Sequence, residues 1–284
     1  MSEEARNWAG NYQYAASTRL APATVEELQE AVAAAGRVKA LGTRHSFNGI
    51  ADTSGTQVSL RKLDRILGLD EEAGTVTVEG GARYGELGRF LHERGMALMN
   101  LASLPHISVA GAVATATHGS GDRNASLASS VTAVEIVRAD GGLVRVERGD
   151  AAFPAAVVSL GALGVTARLA LAVRPAFQVR QRVYQGLPFA ALERHLDEVT
   201  GAAYSVSLFT TWQGESVEQV WLKGREDDGA LPDGGFLGAA PAARDLHPIS
   251  SMPATNTTPQ LGVPGPWHER LPHFRLEFTP SAGE

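Results

Sequence analysis

Cysteine is absent from the 284-residue chain, which removes disulfides, thiolate nucleophiles and zinc–cysteine sites together. No stretch approaches the roughly 18 consecutive apolar residues that a membrane span requires. The opening Met1-Ser-Glu-Glu-Ala-Arg6 is polar and acidic, unlike a secretory leader, so a cytoplasmic location is expected. Positive charge is short as well. The formal net charge is −6, and Lys and Arg are scattered singly among acids. Nucleic acid and anionic lipid are therefore poor partners, and a small molecule is the better one. Familiar nucleotide signatures also fail: there is no G-x-x-x-x-G-K-[ST], and no G-x-G-x-x-G opens a helix after a strand. His268-Glu-Arg-Leu-Pro-His273 has the outline of a zinc-protease helix, but its histidines are five apart rather than four. Pro272 would break the helix that must present them on one face, so no metal site is expected.

What is present is an ordinary globular composition, 44% hydrophobic and 20% charged, in a chain long enough for two modest domains and a sizeable core. Residues 24–35 read as a helix, with Thr24 and Glu27 in capping-box spacing, Val25, Leu28 and Val32 on one face, and Gly36 as the stop. Short strands are expected at 38–41, 57–60 and 75–79, the last ending at Gly80-Gly81. An amphipathic helix over 83–94 turns Tyr84, Leu87, Phe90 and Leu91 inward and places His92 on its solvated face. Residues 98–121 carry too much Gly, Ala, Ser and Thr for an ordinary helix or strand. A hairpin at 131–139 and 143–147 turns at Asp140-Gly141-Gly142; 153–161 reads as helix and 165–173 as strand. Arg174-Pro175 marks a domain boundary, after which 204–210 and 217–223 read as paired strands and 224–267 as long loops. Trp212 and Trp221 sit on those strands and are expected in the core. Strands, hairpins and helices mixed in this way indicate an α+β fold.

Two segments suit a phosphate-rich ligand. In Gly42-Thr-Arg-His-Ser-Phe-Asn48 a strand ends in a tight turn whose amides and Ser46 hydroxyl can bind a pyrophosphate. Residues 103–121 supply small side chains that let the main chain approach a flat ring. Ordinary turns with a solvated His45 would look the same locally. The ordered set of four segments is more specific. Gly42–Asn48, Ala102-Ser-Leu-Pro-His-Ile-Ser-Val-Ala-Gly111, Thr115-Ala-Thr-His-Gly-Ser-Gly121 and Ser159-Leu-Gly-Ala-Leu-Gly-Val165 together resemble the FAD-binding domain of the vanillyl-alcohol-oxidase (PCMH) type. Asn7-Trp-Ala-Gly-Asn11 and Gly262-Val-Pro-Gly-Pro-Trp-His-Glu-Arg-Leu-Pro-His-Phe-Arg275 extend the resemblance to the alditol (xylitol) oxidase family across essentially the whole chain. Aldonolactone oxidases share the last segment more loosely.

The resemblance implies a two-subdomain FAD-binding domain over 1–174 and a substrate (cap) domain with an antiparallel sheet over 175–284. FAD is the implied cofactor, bonded through its 8α carbon to His45. Gly42, Thr43, Arg44, Ser46 and Phe47 are the implied neighbouring contacts, with Ser103, Ser108, Gly111, Thr115, Ala116, Thr117 and His118 along flavin and phosphates, and Gly161 and Val165 against the cofactor. Ser103 is also the implied contact to the polyol. The implied reaction oxidises an alditol's terminal hydroxyl to the aldose while dioxygen becomes hydrogen peroxide, in a monomer. The family's Glu-x-Arg pair, Thr and Lys have no counterpart up to Ser281-Ala-Gly-Glu284, so no catalytic residue is assigned, a C-terminal truncation is expected, and Phe274-Arg-Leu-Glu-Phe278 reads as an interior strand without a partner. An aldonolactone oxidase, a non-catalytic flavin-binding remnant and an unstable fragment remain as alternatives. Among the other histidines, His195 and His247 read as structural or exposed. His106 and His118 either hydrogen-bond the cofactor or pack, and His268 and His273 organise the Trp-His-Glu-Arg loop.

Overall fold

The computed structural model describes residues 6–277. A parallel three-stranded sheet comes first, from β1 (Thr18–Leu20), the helix α1 (Val25–Ala34), β2 (Val38–Leu41) and β3 (Thr56–Ser59), in the order β1-β3-β2. Thr24 caps α1 by accepting the Glu27 amide at 3.1 Å, and Glu27 Oε2 reaches back to the Ala23 amide at 2.8 Å. This is a reciprocal cap set one residue further out than the usual box. The helix closes on Ala35, one residue before Gly36.

Next come β4 (Ile66–Asp70), β5 (Thr75–Glu79), α2 (Tyr84–His92), β6 (Met96–Ala97), α3 (Val109–Ala114), β7 (Val131–Val137), β8 (Leu143–Glu147), α4 (Phe153–Val157) and β9 (Val165–Ala172). The long strands pair antiparallel in the order β4-β5-β9-β7-β8. Val25, Leu28 and Val32 of α1 pack with Val58, Val137 and Val165 and so join the two sheets. On the other side of the five-stranded sheet, α2 and α3 bury Tyr84, Leu87, Leu91, Val109 and Val113 in the largest core.

After β10 (Arg174–Pro175), which pairs with β6, a third sheet forms. It comprises β11 (Gln178–Pro188), the helices α5 (Phe189–Arg194) and α6 (Leu196–Thr200), β12 (Ser205–Phe209) and β13 (Ser216–Arg225), in the antiparallel order β12-β13-β11. Two short pairings, β14 (Ala240–Pro241) and β15 (Gly265–Pro266), and the turn of helix α7 (Trp267–Arg270) complete it. Tyr184, Val220 and Leu222 face a satellite apolar core with Val199 and Phe236. The alternate positions carry Gln181, Ser205, Gln219, Trp221 and Lys223, all buried. The molecule is α+β. No helix among the described residues is long and apolar enough to cross a membrane.

Several sequence expectations need correction. Residues 98–121 do contain a helix, α3, because Ala110, Ala112 and Gly111 let it lie close against the end of β5. The helix expected over 153–161 stops at Val157, where Val158 leaves the helical region at φ −103° and ψ 71°, and Leu160 and Gly161 then take positive φ. β1, β4 and the long β11 lie outside the expected strands. Trp221 is fully buried, but Trp212 is 81% exposed, on a left-handed turn with its ring stacked on Phe189. In 274–278, Phe274 makes a single bridge to Thr257 and residues 276–277 form a turn; Phe278 and residues 281–284 lie outside the described residues.

Candidate active site

β2 runs out of its sheet into Gly42–Asn48, and the N-terminal residues clasp that loop. Trp8 N donates to Arg44 O at 2.8 Å, Asn7 Nδ2 to Ser46 O at 3.0 Å and Asn11 Nδ2 to Phe47 O at 3.1 Å. The clasp holds Arg44 at φ 66°, a conformation costly for a side-chain-bearing residue and found where the surrounding structure enforces it. His45 is thereby laid on Trp8, ring centroids 5.2 Å apart, with Nδ1 3.1 Å from Thr43 Oγ1. Burial pushes its imidazole down to about 4, helped by His106, Arg44 and Arg83 and opposed by the Thr43 hydrogen bond. At neutral pH the ring is uncharged and keeps a nitrogen lone pair.

Three further segments close on this loop. Ser108 N donates to Thr43 Oγ1 at 3.4 Å. A Cβ on Gly42 would stand 3.1 Å from Ser108 Oγ and one on Gly111 only 2.7 Å from it, so small residues let the two walls meet. Beyond α3, Thr115 Oγ1 donates to Gly111 O at 3.0 Å, Ala116 sits at φ 53°, and His118 Nδ1 lies 2.7 Å from Gly119 O. Leu160 N donates to Ala114 O at 3.1 Å, and Lys39 Nζ to Leu160 O at 2.8 Å. The floor is Gly80-Gly81 at the end of β5, where a Cβ would come within 2.4 Å of Thr166 O and 2.1 Å of Leu60 O respectively.

These walls enclose a cavity of about 640 Å³, within the span of cofactor sites. Gly42, Thr43, Arg44, His45, Ser46, Ser103, Ser108, Gly111, Thr115, Thr117, His118 and Gly161 line it. Three positions of the family pattern stand outside the lining. Phe47 is exposed beside Trp8, Ala116 contributes its left-handed backbone, and Val165 is buried in the core under α1. Sequence reasoning missed Lys39, Arg61, Asp64, Arg83, Glu86 and Gly80. Only Gly80-Gly81 had a visible signal, as a glycine pair at a strand end. The four cations Lys39, Arg44, Arg61 and Arg83 outnumber the carboxylates Asp64 and Glu86, although the chain as a whole is acidic. Such a lining favours an anionic ligand. Ser108 Oγ is buried with no partner among the described residues, which suits a ligand acceptor inside the cavity.

Among the histidines, His92 departs from expectation. His92 is half-buried rather than solvated, its ring 4.7 Å from that of His268. His106 is buried with Nε2 2.8 Å from Leu276 O, and His118 is exposed on the cavity wall. His195 pairs with Glu198, and His247 is buried.

Comparison with known proteins agrees with the cofactor class. Residues 16–147 match the FAD binding domain family. The chain is 53% identical over its whole length to an alditol oxidase of a Streptomyces species and spans 68% of that protein. It is 38% identical to L-gulono-1,4-lactone dehydrogenase of Mycobacterium tuberculosis across 68% of this chain and 45% of that one. With bovine L-gulonolactone oxidase the identity is 33% across 63% of this chain and 42% of that one. Whole-length identity at this level, over a fold and cavity of this kind, places the chain in the alditol oxidase family of FAD-dependent oxidoreductases.

Proposed function

We propose that the chain binds FAD in the cavity between the Gly42–Ser46 loop, Ser103–Gly111, Thr115–His118 and Gly161, and oxidises the terminal hydroxyl of alditols such as xylitol and sorbitol to the aldose, with dioxygen reduced to hydrogen peroxide. The single observation that carries this reading is the whole-chain identity to an alditol oxidase, since the lactone-oxidising relatives match only part of the chain. FAD supplies the two-electron acceptor and the route to dioxygen. The protein's own part is placement. The amides and hydroxyls of Gly42–Ser46 and Ser108 take the pyrophosphate side, with the cationic lining countering its charge. Glycines of the floor and walls admit the flat ring, and Ser103 hydrogen-bonds a polyol hydroxyl. His45 is the proposed covalent anchor, supported by its uncharged ring and its fixed stacking on Trp8. Residues 1–174 form the FAD unit in this reading and 175–284 the substrate unit, in a cytoplasmic monomer, a compartment that suits a chain without cysteine.

Oxygen consumption with xylitol, sorbitol and L-gulono-1,4-lactone tests the activity: polyol turnover is expected, and turnover of the lactone alone would reject it in favour of an aldonolactone oxidase. For the anchor, flavin should stay with the protein after acid precipitation and be released entirely by H45A.

A further inference from the structure

Behind Ser103 lies the polar face of the third sheet. Lys223 is 1% exposed and donates to the carbonyls of Leu271 and, at 3.1 Å, Pro272. Pro272 O also accepts from Thr258 Oγ1 at 2.8 Å, and Thr258 N donates to His273 O at 2.9 Å. The fastened segment then reaches the cavity wall: His273 N donates to Ser103 O at 3.0 Å and Phe274 N at 3.4 Å. The His273 ring is wedged against Trp221 and Phe209, with centroids 5.0 and 5.5 Å away. The main chain of Ser103 is thus held from behind while its residue faces the cavity.

A lysine in this place needs explaining, because a buried charge without a partner is costly. No carboxylate among the described residues pairs with it, and burial holds its amine well below the ordinary lysine range. The two carbonyl acceptors take hydrogen bonds from the amine and satisfy it in place. A methionine of similar length would fill the space at less cost if filling were the only requirement.

We infer that Lys223 is a positioning residue for polyol binding: by fixing residues 271–273 it sets the main chain of Ser103, and through it the hydroxyl that meets the substrate. This rests on the assignment of Ser103 as the polyol contact. The step involves no bond making. Lys223 does not line the cavity, and its effect is confined to where Ser103 stands.

The test uses the FAD-loaded full chain with xylitol, in S103A, K223M and the double variant. In K223M the KM for xylitol should rise about tenfold, the scale of one lost buried hydrogen bond, with kcat within about twofold of the parent and flavin content and visible spectrum unchanged. The double variant should be no worse than S103A, as expected when two residues act through one contact. Hydrogen exchange supplies a readout apart from turnover: the His273 and Phe274 amides should exchange about tenfold faster in K223M, while those of β7 stay as they were. An unchanged KM in K223M beside a raised one in S103A would overturn the positioning role alone, as would additive effects in the double variant. An unchanged KM in S103A would instead reject the Ser103 assignment and this inference with it. If K223M does not fold, T258V removes a neighbouring donor to Pro272 O, and its cycle with S103A decides by the same criterion.

Discussion

His45 and His268 are both pushed down to about 4 from 6.5, in each case chiefly by burial. The unfolded chain titrates both near 6.5, so between pH 6.5 and 4 it binds protons that the folded state does not. Stability from these groups is complete above pH 6.5, declines as the pH falls through that window, and levels off below about 4. Because His45 belongs to the ligand loop, His268 is the cleaner probe. H268Q should make the fall in melting temperature from pH 7 to 4 shallower than in the parent, by about one proton's dependence. Parallel curves for the two proteins would show that His268 is not held neutral. The same residue shows where sequence reading stops. Periodicity identified the polar face of α2 and therefore His92, but it carries no information on what covers that face. The covering group is the His268 ring on α7, brought there from far along the chain.

Among elements, those with local causes were legible. The α1 cap needs only Thr24 and Glu27, and the β7–β8 hairpin needs only Asp140-Gly141-Gly142. T24A should cost about 1 kcal/mol, the usual value of a side-chain N-cap, read by urea denaturation, and leave flavin content untouched. α3 was missed for a physical reason: Gly111 lowers helix propensity and the small side chains around it give no clear apolar periodicity, but here they permit close packing, and tertiary contact outweighs propensity. The same closeness governs the cavity floor. In G80A the new Cβ would meet Thr166 O at 2.4 Å and Leu60 Cδ1 at 2.8 Å. One of these is backbone, so β9 must move. The expected cost is about 1–3 kcal/mol together with reduced FAD content. A variant as stable and as yellow as the parent would show that the floor is not a constraint.

On the scale of the whole molecule, the main discrepancy between sequence and structure is electrostatic. Along the chain the basic residues look solitary, and the net charge of −6 argues against nucleic acid and anionic lipid. Folding gathers Lys39, Arg44, Arg61 and Arg83 around one cavity from β2, two loops and the start of α2, so local positive potential coexists with global negative charge. Motif order could point to the cavity but not to its field, since each cation comes from a different segment. If that field holds the diphosphate, its contribution is measurable once the proposed covalent bond is removed. In an H45A background, FAD should bind more weakly as salt is raised, while riboflavin, which lacks phosphate, should be nearly indifferent. Adding K39Q should then raise the dissociation constant for FAD by roughly tenfold, the scale of one charge-assisted hydrogen bond, and leave that for riboflavin within about twofold. Equal losses for both ligands would mean that Lys39 acts by holding Leu160 O in place, and that the wall it braces, more than its charge, retains the cofactor.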